Sequence, residues 1–417
     1  MKPAPDLPST GTAPGRLDFL GGVADYSGSL VLEKPIQATT SVTLSAQTDP
    51  VLSYATEGKA DSVELPLDAL ENLRQTLPDG AAVRRALDAQ KIPGWVRYPL
   101  GCLLVLDAHQ SLGEVPPLRF SIQSTVPRSM GVSSSAALEV ATLRALCQTF
   151  GIEMEPVQLA HLAQRAENEI VGAPCGLMDQ LTVSCAKPGE ILPILCRPDQ
   201  IQSAFQLPEP LILAGWPSGV SHTVSGNPYL DARTATFAAF ALFQAAVGEA
   251  LECPAAIPPQ RLDAALERAM PETVTGAQLL EQGLALADSM SRLYSERNYN
   301  LRDALAFPVH ENLRAERALT LLSDPKASED AFQEAGELLY AAHADYSRIG
   351  LGHPRTDAMV EAVRQRGPDA GFYGARVSGG GSGGTVVVLL RAEALEALGI
   401  LAEALRPAGA PSVQIIL

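Results

Sequence analysis

The sequence is short of positive charge, of paired cysteines and of long apolar runs, and each shortage excludes a class of protein. It has 31 lysines and arginines against 47 aspartates and glutamates, a net charge of −16, which excludes a surface for nucleic acid or anionic membrane. No apolar run approaches a membrane span, and the start MKPAPDLPSTG lacks the regions of a signal peptide. The six cysteines form no Cys-x-x-Cys pair, which predicts free thiols and a cytoplasmic protein.

The composition is that of a globular chain with mixed secondary structure. Of the 417 residues, 46% are hydrophobic and 19% are charged, enough to build two or three packed units. Strand patterns at residues 31–48 and 117–126 and helical patterns at 68–90 and 156–171 follow one another without regular spacing. The sequence therefore predicts an α+β fold. The proline-bearing run at 205–219 is interpreted as a crossing between domains.

A stretch of small residues, PRSMGVSSSAA at 127–137, lies between a predicted strand and a predicted helix. Unpaired N–H groups and the dipole at a helix start attract anions, and the serine hydroxyls are suited to phosphate or Mg²⁺. No Gly-Lys-Ser/Thr follows, so this is not a Walker loop. An N-cap with close helix packing remains the alternative interpretation of this stretch alone.

A second stretch, SGGGSGG at 378–384, has five glycines in seven positions before a predicted strand at 385–390. Such a density costs conformational entropy, so the pattern indicates that another group approaches the backbone closely there. A flexible hairpin is the alternative. Near the start, APGRLDFLGGVADYSGS at 13–29 places one arginine and one aspartate in a turn-rich segment.

These three segments, in this order, resemble the three motifs of the GHMP kinases, the family of galactokinase and of homoserine, mevalonate and phosphomevalonate kinases. Two further blocks, AENEIVGAPCGLMDQ at 166–180 and SGVSHTVSGNPY at 218–229, resemble the galactokinase branch. Within that branch the motifs are most similar to those of the members that phosphorylate L-arabinose. The resemblance runs from Pro14 to about Leu390.

The resemblance implies the two-domain GHMP kinase fold, with the active site in the cleft between the domains. The N-terminal domain would span residues 1–205 and contain three features. These are the sugar segment within residues 13–29, the phosphate loop at residues 127–137 and the catalytic aspartate. The C-terminal domain, which would be ferredoxin-like, would span residues 206–417. It would contain the Gly-rich third motif at residues 378–384. The implied ligands are ATP, Mg²⁺ and a small sugar.

Asp179 is the expected catalytic base. Its carboxylate is expected in a short loop after a helix, among apolar neighbours where an unused charge is costly. The resemblance implies that it takes the proton of the anomeric hydroxyl or orients that hydroxyl, with Arg16 beside it to keep it ionised. It also implies that Ser135 and Glu167 hold Mg²⁺, although Glu167 falls on the polar side of its predicted helix.

The nucleotide is expected on a larger set of residues. The resemblance assigns the phosphates to the phosphate loop and the third motif, and the adenine to an aromatic pair that could equally pack in the core. One departure is Ser129, where the family usually has glycine. The expected nucleotide-binding residues are Arg128, Ser129, Gly131, Ser133, Ser134, Ser135, Ala136, Gly380, Gly381, Trp95 and Tyr98.

The acceptor is expected to be L-arabinose, phosphorylated at its anomeric hydroxyl. Asp25, Tyr229 and the backbone around Gly176 match positions that hold the ring hydroxyls in galactokinases. Where galactokinases have Gly-Glu-His to grip the hydroxymethyl group, this sequence has Gly21, Gly22 and Val23. L-Arabinopyranose has the ring stereochemistry of galactose without that hydroxymethyl group. Side chains that bind the hydroxymethyl group would be left without a hydrogen-bond partner, and this sequence lacks those side chains.

Two other functions stay open at this stage. A galactokinase is the first alternative, because a pocket without polar partners rejects an extra hydroxyl only modestly. A non-catalytic sugar sensor of the same fold is the second, disfavoured because Arg16, Ser135, Ala136 and Asp179 are all present. The sequence does not decide between a monomer and a dimer.

Overall fold

A computed structural model describes residues 6–58, 62–77, 79–197, 199–221, 227–268, 270–407 and 409–417. Mixed helices and strands form two compact units that interleave along the chain. The first unit comprises the described residues of Met1–Arg16, Pro35–Arg128 and Ser133–Lys187, and the second those of Leu17–Lys34, Ser129–Val132 and Pro188–Leu417. The boundary expected after residue 205 stays a prediction.

Twelve strands are present in the described residues. They are β1 Ser9–Leu20, β2 Leu30–Ala46, β3 Val51–Thr56, β4 Val63–Pro66, β5 Leu118–Ser124, β6 Leu192–Cys196, β7 Asp199–Ile201, β8 Leu211–Pro217, β9 Thr273–Thr275, β10 Asn298–Asn300, β11 Phe372–Val377 and β12 Thr385–Arg391.

Thirteen α-helices accompany them within the same described ranges. They are α1 Leu67–Thr76, α2 Gly80–Ala89, α3 Gly94–Gln110, α4 Ser134–Thr149, α5 Pro156–Arg165, α6 Met178–Cys185, α7 Asn227–Val247, α8 Pro259–Arg268, α9 Gly276–Glu281, α10 Leu301–Leu322, α11 Glu329–Arg348, α12 Pro354–Arg366 and α13 Leu395–Ala404. None of these helices is both long enough and apolar enough to cross a membrane.

The first unit is a mixed sheet covered by helices. Strand β5 pairs antiparallel with β2 and parallel with β3, and β4 pairs with β3. Alternation places Leu118, Phe120 and Ile122 of β5 in one core with the apolar faces of α3 and α4. The strand predicted at 117–126 and the helical pattern at 68–90, resolved into α1 and α2, are confirmed.

The second unit contains an antiparallel sheet in the order β11-β12-β8. The segment at 205–219 was expected to connect domains, but its apolar run forms β8, which pairs along its length with β12. The segment forms a strand rather than a connection because Pro208 and Pro210 precede β8 and Pro217 is its last residue, so no proline interrupts the pairing of the residues between them. Helices α11 and α12 pack on β11 and bury the sheet face.

Two glycines in helices of the second unit make a matched test of this packing. At Gly336 in α11, a Cβ would lie 2.0 Å from the carbonyl oxygen of Tyr373, whereas at Gly399 in α13 it would meet nothing within 4 Å. Alanine is favoured over glycine in a helix by about 1 kcal/mol, so Gly399→Ala should raise the unfolding temperature slightly. Gly336→Ala should lower it by clashing with β11. Thermal unfolding of both variants checks this, and equal effects would contradict the close packing.

Candidate active site

Arg16 and Asp179 form an ion pair within the first unit. Arg16 in β1 is 2% exposed, and its Nε and Nη2 atoms lie 2.9 and 2.7 Å from Oδ1 of Asp179. The Asp179 side chain stays 24% exposed. A buried guanidinium thus fixes one oxygen of a carboxylate that solvent and ligands can still reach, an arrangement suited to proton transfer.

Asp179 lies in the first turn of α6 rather than in the expected loop. The reason is the apolar pattern of Met178 and Leu181, which are both buried and fix the start of the helix. The free N–H groups and positive dipole end of that turn favour a carboxylate. The helix therefore adds to the effect of Arg16 in holding Asp179 in place.

Next to Asp179, the buried side chains of Glu139 and Glu167 form an acid cluster, joined by the side-chain amide of Gln180. The Nε2 of Gln180 donates to Oε2 of Glu167 at 2.8 Å and to Oε2 of Glu139 at 3.2 Å. Ser135 is also hydrogen-bonded to Glu167, and the Cys175 thiol lies 3.6 Å from its Oε2. The expected metal pair, Ser135 and Glu167, is therefore in direct contact.

Glu167 is 2% exposed, so its expected place on a polar helix face was wrong. The helix that begins at Pro156 widens into a π-helical turn at residues 166–171. A π turn adds one residue and rotates the following side chains relative to the α-helical pattern. Such turns frequently accompany functional sites.

Burial is the main reason that the pKa of Glu167 rises from 4.5 to about 7, and the negative charge of Asp179 raises it further. Hydrogen bonds from Ser135, Cys175 and Gln180 oppose that rise. Burial, followed by the charge of Glu167, also raises the pKa of Glu139 well above its ordinary range. The cluster thus holds more negative charge than its surroundings solvate, which favours binding a cation.

The phosphate loop leads into α4 with an unsatisfied hydroxyl. Ser133 precedes the helix in a left-handed conformation with φ of 56°, and its buried hydroxyl has no hydrogen-bond partner among the described residues. Ser134 and Ser135 are half-buried at the helix start, whereas Ala136 is buried in the core. Open N–H groups and a spare hydroxyl at one helix end suit a phosphate group.

Ser129, at a position where the family usually has glycine, adopts a backbone conformation that is unfavourable for serine. Ser129 has φ of +56°, a region that glycine occupies at no steric cost. Gly131, also left-handed, lies so close to the third motif that a Cβ would be 3.1 Å from the carbonyl oxygen of Ser378. Arg128 donates to the Thr56 hydroxyl at 3.0 Å, which holds its side chain against β3.

In the second unit, the Gly-rich segment is buried rather than a flexible hairpin. The N–H of Ser382 donates to the carbonyl of Leu351 at 2.7 Å, and that of Gly384 to Val220 at 2.9 Å. A Cβ at Gly381 would lie 2.6 Å from the Leu351 carbonyl oxygen. The close approach expected from the glycine density is therefore made, at these positions, by the chain itself. Gly380 is buried in the same segment.

The sugar segment forms a short 3-10 helix at Gly22–Ser27 in the same unit. Val23 is buried in a cluster with Tyr229, and Tyr229 meets the ring of Tyr26 edge-on at 6.0 Å. Asp25 is buried and accepts the N–H of Tyr26 at 2.6 Å. The structure thus brings Val23, Asp25 and Tyr229 into one neighbourhood. Residues 222–226 of the block at 218–229 lie outside the described residues.

The aromatic pair expected at adenine is split between two environments. Trp95 packs against the hydrophobic core of the first unit. Tyr98, one turn later in α3, is half-buried, and burial followed by the charges of Glu167 and Glu139 raises its pKa. Gly176 is half-buried between Cys175 and the start of α6. The roles expected for these residues stay predictions.

Comparison with known proteins identifies the family of the chain. The model of the GHMP kinases N-terminal domain matches residues 97–187, and that of the GHMP kinases C-terminal domain matches residues 326–406. The chain belongs to the GHMP kinases. It is 29% identical to L-arabinokinase of Arabidopsis thaliana over 91% of its own length, but spans only 42% of that protein.

Galactokinases are also among the relatives of this GHMP kinase. It is 29% identical to galactokinase of Streptomyces coelicolor, covering 93% of the chain and 85% of the relative. The structure of Lactococcus lactis galactokinase complexed with galactose superimposes with a TM-score of 0.76 at 19% identity, covering 98% of this chain and 92% of that one. The predicted family and fold class are confirmed.

The donor set of this GHMP kinase fits Mg²⁺. The described residues contain no group of three or more His, Cys, Asp or Glu side chains able to hold a metal alone. Mg²⁺ prefers oxygen ligands and is usually held by one or two protein groups together with substrate phosphates. The Ser135 hydroxyl and the Glu167 carboxylate are such groups, and the raised pKa of Glu167 reflects a negative potential that a cation would relieve.

Sequence reasoning missed Glu139, Gln180, Asp18 and Tyr346. A signal was available for Glu139, which shares the apolar helix face of Ala136 and Leu143, where a carboxylate requires a partner. Asp18 likewise lies within the apolar strand β1. Gln180 and Tyr346 carry no such signal, because neither side chain has a charge whose burial would require a partner.

The buried carboxylate of Glu167 predicts a stability that depends on pH. Its folded pKa, about 7, exceeds its ordinary value of 4.5, so ionisation in the unliganded fold is destabilising. Glu167→Gln should therefore raise the unfolding temperature in metal-free buffer. The gain should be absent near pH 4.5, grow up to pH 7 and stay constant above it.

Calorimetry from pH 4.5 to 8.5 tests this, with Glu169→Gln as the control. Glu169 is the next acid along the chain, and its side chain is 42% exposed, so its replacement should change little at any pH. A gain that does not vary with pH, or that is larger in acid, would contradict the prediction.

Proposed function

We propose that the chain is an ATP-dependent sugar kinase that phosphorylates the anomeric hydroxyl of L-arabinose, giving L-arabinose 1-phosphate and ADP. The observation that carries the proposal is the ion pair of Arg16 with a half-exposed Asp179 beside the acid cluster. The similarity to L-arabinokinase and to galactokinases supports a sugar as acceptor. The six free cysteines support a cytoplasmic location.

Each residue of the pair has a role in the proposed reaction. The anomeric oxygen attacks the γ-phosphorus, its bond to phosphorus forms, and the bond from phosphorus to the ADP oxygen breaks. Asp179 orients the hydroxyl and receives its proton. Arg16 holds Asp179 in place during the transfer, because its guanidinium is buried and already hydrogen-bonded to the carboxylate.

The phosphates would be bound by the start of α4. Its N–H groups would donate to an anion, together with the Ser133 hydroxyl, which has no hydrogen-bond partner among the described residues. Ser135 and Glu167 would hold Mg²⁺, which when bound neutralises charge on the β- and γ-phosphates. Positioning and charge neutralisation are the main requirements of phosphoryl transfer.

The surroundings of Gly22 and Val23 support a pentose. A Cβ at Gly22 would lie 1.9 Å from the hydroxyl oxygen of Tyr346 and 2.7 Å from Oδ2 of Asp18. A glutamate at this position, as galactokinases have, is therefore incompatible with the packing here. Val23 adds only apolar surface. The segment thus offers no side-chain partner for a hydroxymethyl group at these two positions.

Galactokinase is the second candidate, favoured by coverage. The chain spans 85% and 88% of two bacterial galactokinases but 42% of the plant L-arabinokinase. An apolar pocket separates two such sugars by about 10²-fold, so galactose would be a secondary acceptor under the proposal.

A panel of free sugars tests the acceptor. Purified protein with MgATP should release ADP with L-arabinose at a kcat/KM about 10²-fold above that with galactose. D-Galactose, D-xylose and D-glucose complete the panel. A higher kcat/KM for galactose would overturn the pentose assignment and favour galactokinase.

Asp179→Asn tests the chemistry. It keeps the size of the side chain but cannot accept the proton, so kcat should fall by about 10³-fold, while the Kd of the sugar, measured by calorimetry, stays within tenfold. Asp199→Asn, in the exposed strand β7, is the control and should leave kcat unchanged. Near-normal turnover of Asp179→Asn would refute its role as the base.

A further inference from the structure

Three consecutive backbone N–H groups of the sugar segment donate to three buried side chains of the second unit. Gly21 donates to Oε1 of Glu311 at 3.0 Å. Gly22 donates to Oδ1 of Asp18 at 3.1 Å, and Val23 to the Tyr346 hydroxyl at 3.0 Å. All three acceptor side chains are fully buried, so the backbone position of this segment is fixed from inside the protein.

Two of those side chains also bind Gly379 of the Gly-rich segment. Its N–H donates to Oδ2 of Asp18 at 3.0 Å, and its carbonyl accepts the Tyr346 hydroxyl at 2.8 Å. Asp18 thus has one oxygen on each segment, and the Tyr346 hydroxyl accepts from one segment and donates to the other. The two segments are joined by a double bridge through these two side chains.

Arg376 provides the charge that the bridge requires. Its guanidinium lies 3.4 Å from Oδ2 of Asp18 and 2.9 Å from Oε1 of Glu311, and 4.9 Å above the ring of Tyr346. Burial opposes ionisation of Glu311, but the charges of Arg314 and Arg376 outweigh it and lower the pKa of Glu311. Glu311 therefore stays ionised and is a strong acceptor for the Gly21 N–H group.

The packing leaves little room for one segment to move without the other. Gly22 lies against the Tyr346 hydroxyl, and a Cβ at Gly381 would lie 3.1 Å from Cδ1 of the same ring. Tyr346 is thus in contact with both segments, through its hydroxyl on one side and its ring on the other. A displacement of either segment has to displace this side chain or break its hydrogen bonds.

We infer that Asp18 and Tyr346 are positioning residues that couple the sugar segment, residues 21–25, to the Gly-rich segment, residues 378–384. A ligand that stabilises the observed position of one segment also stabilises that of the other, so each ligand binds more tightly when its partner is bound, by the same factor in both directions. The identity of the ligands, L-arabinose and ATP, rests on the proposed function. The coupling of the two segments does not.

Hydrogen exchange of the unliganded full-length protein tests the coupling. Tyr346→Phe removes the hydroxyl and leaves the Val23 N–H and the Gly379 carbonyl buried without a partner. Exchange should accelerate about tenfold in peptides covering both segments. Amides of β12, which pair within the sheet, report any global opening and should not accelerate. Tyr340→Phe, a buried tyrosine on the same helix α11, is the matched control and should change neither segment.

Ligand binding provides the functional readout. In the parent protein, saturating L-arabinose should lower the Kd of MgADP several-fold, and Tyr346→Phe should bring that ratio close to one. Asp18→Asn, which can no longer accept an N–H at both oxygens, should act in the same direction.

Acceleration of exchange in one segment only, equal acceleration in Tyr340→Phe, or an unchanged binding ratio would overturn the inference. If no sugar of the panel is phosphorylated, the proposed function fails, whereas the exchange result still decides whether the segments are coupled.

Discussion

The buried guanidinium of Arg376 fixes the positions of several polar groups in the second unit. It is fully buried, so it requires neutralising partners in fixed positions, and Asp18 and Glu311 supply them. Those carboxylates have further acceptor capacity, which is used by backbone N–H groups of two glycine-containing segments. A charge that is costly to bury therefore determines where the motifs of this GHMP kinase lie within the unit.

The glycines of these motifs follow from the same constraint. Gly22 and Gly381 have left-handed backbones, and each has a neighbour where a side chain would begin. Glycine at these sites allows the buried polar groups to reach the backbone. Glycine density in a phosphate-binding motif thus reflects the internal packing of the protein as well as any ligand that the loop approaches.

The first unit contains the opposite arrangement. Glu139 and Glu167 are buried acids that share an amide donor, Gln180, and burial raises the pKa values of both. Without a cation, their ionised forms are destabilising. Under the proposed function, a bound cation would relieve that destabilisation, so the liganded fold would be more stable than the unliganded one. Asp179, fixed by Arg16, lies beside it.

The sequence by itself determined the family, the α+β class, several of the strands and helices, and the residue types of the site, because motif order and periodicity are local properties of the chain. Prediction from the sequence failed where long-range packing overrode a local pattern. The π turn rotated Glu167 into the interior, and the apolar run before Trp216 became a paired strand instead of a connection. Only the tertiary structure decided which side chains meet across hundreds of residues. The pairing of Arg16 with Asp179 was already implied by the family resemblance. Asp18 and Tyr346, in contrast, meet at Gly379, because these contacts depend on long-range packing that no spacing in the sequence encodes.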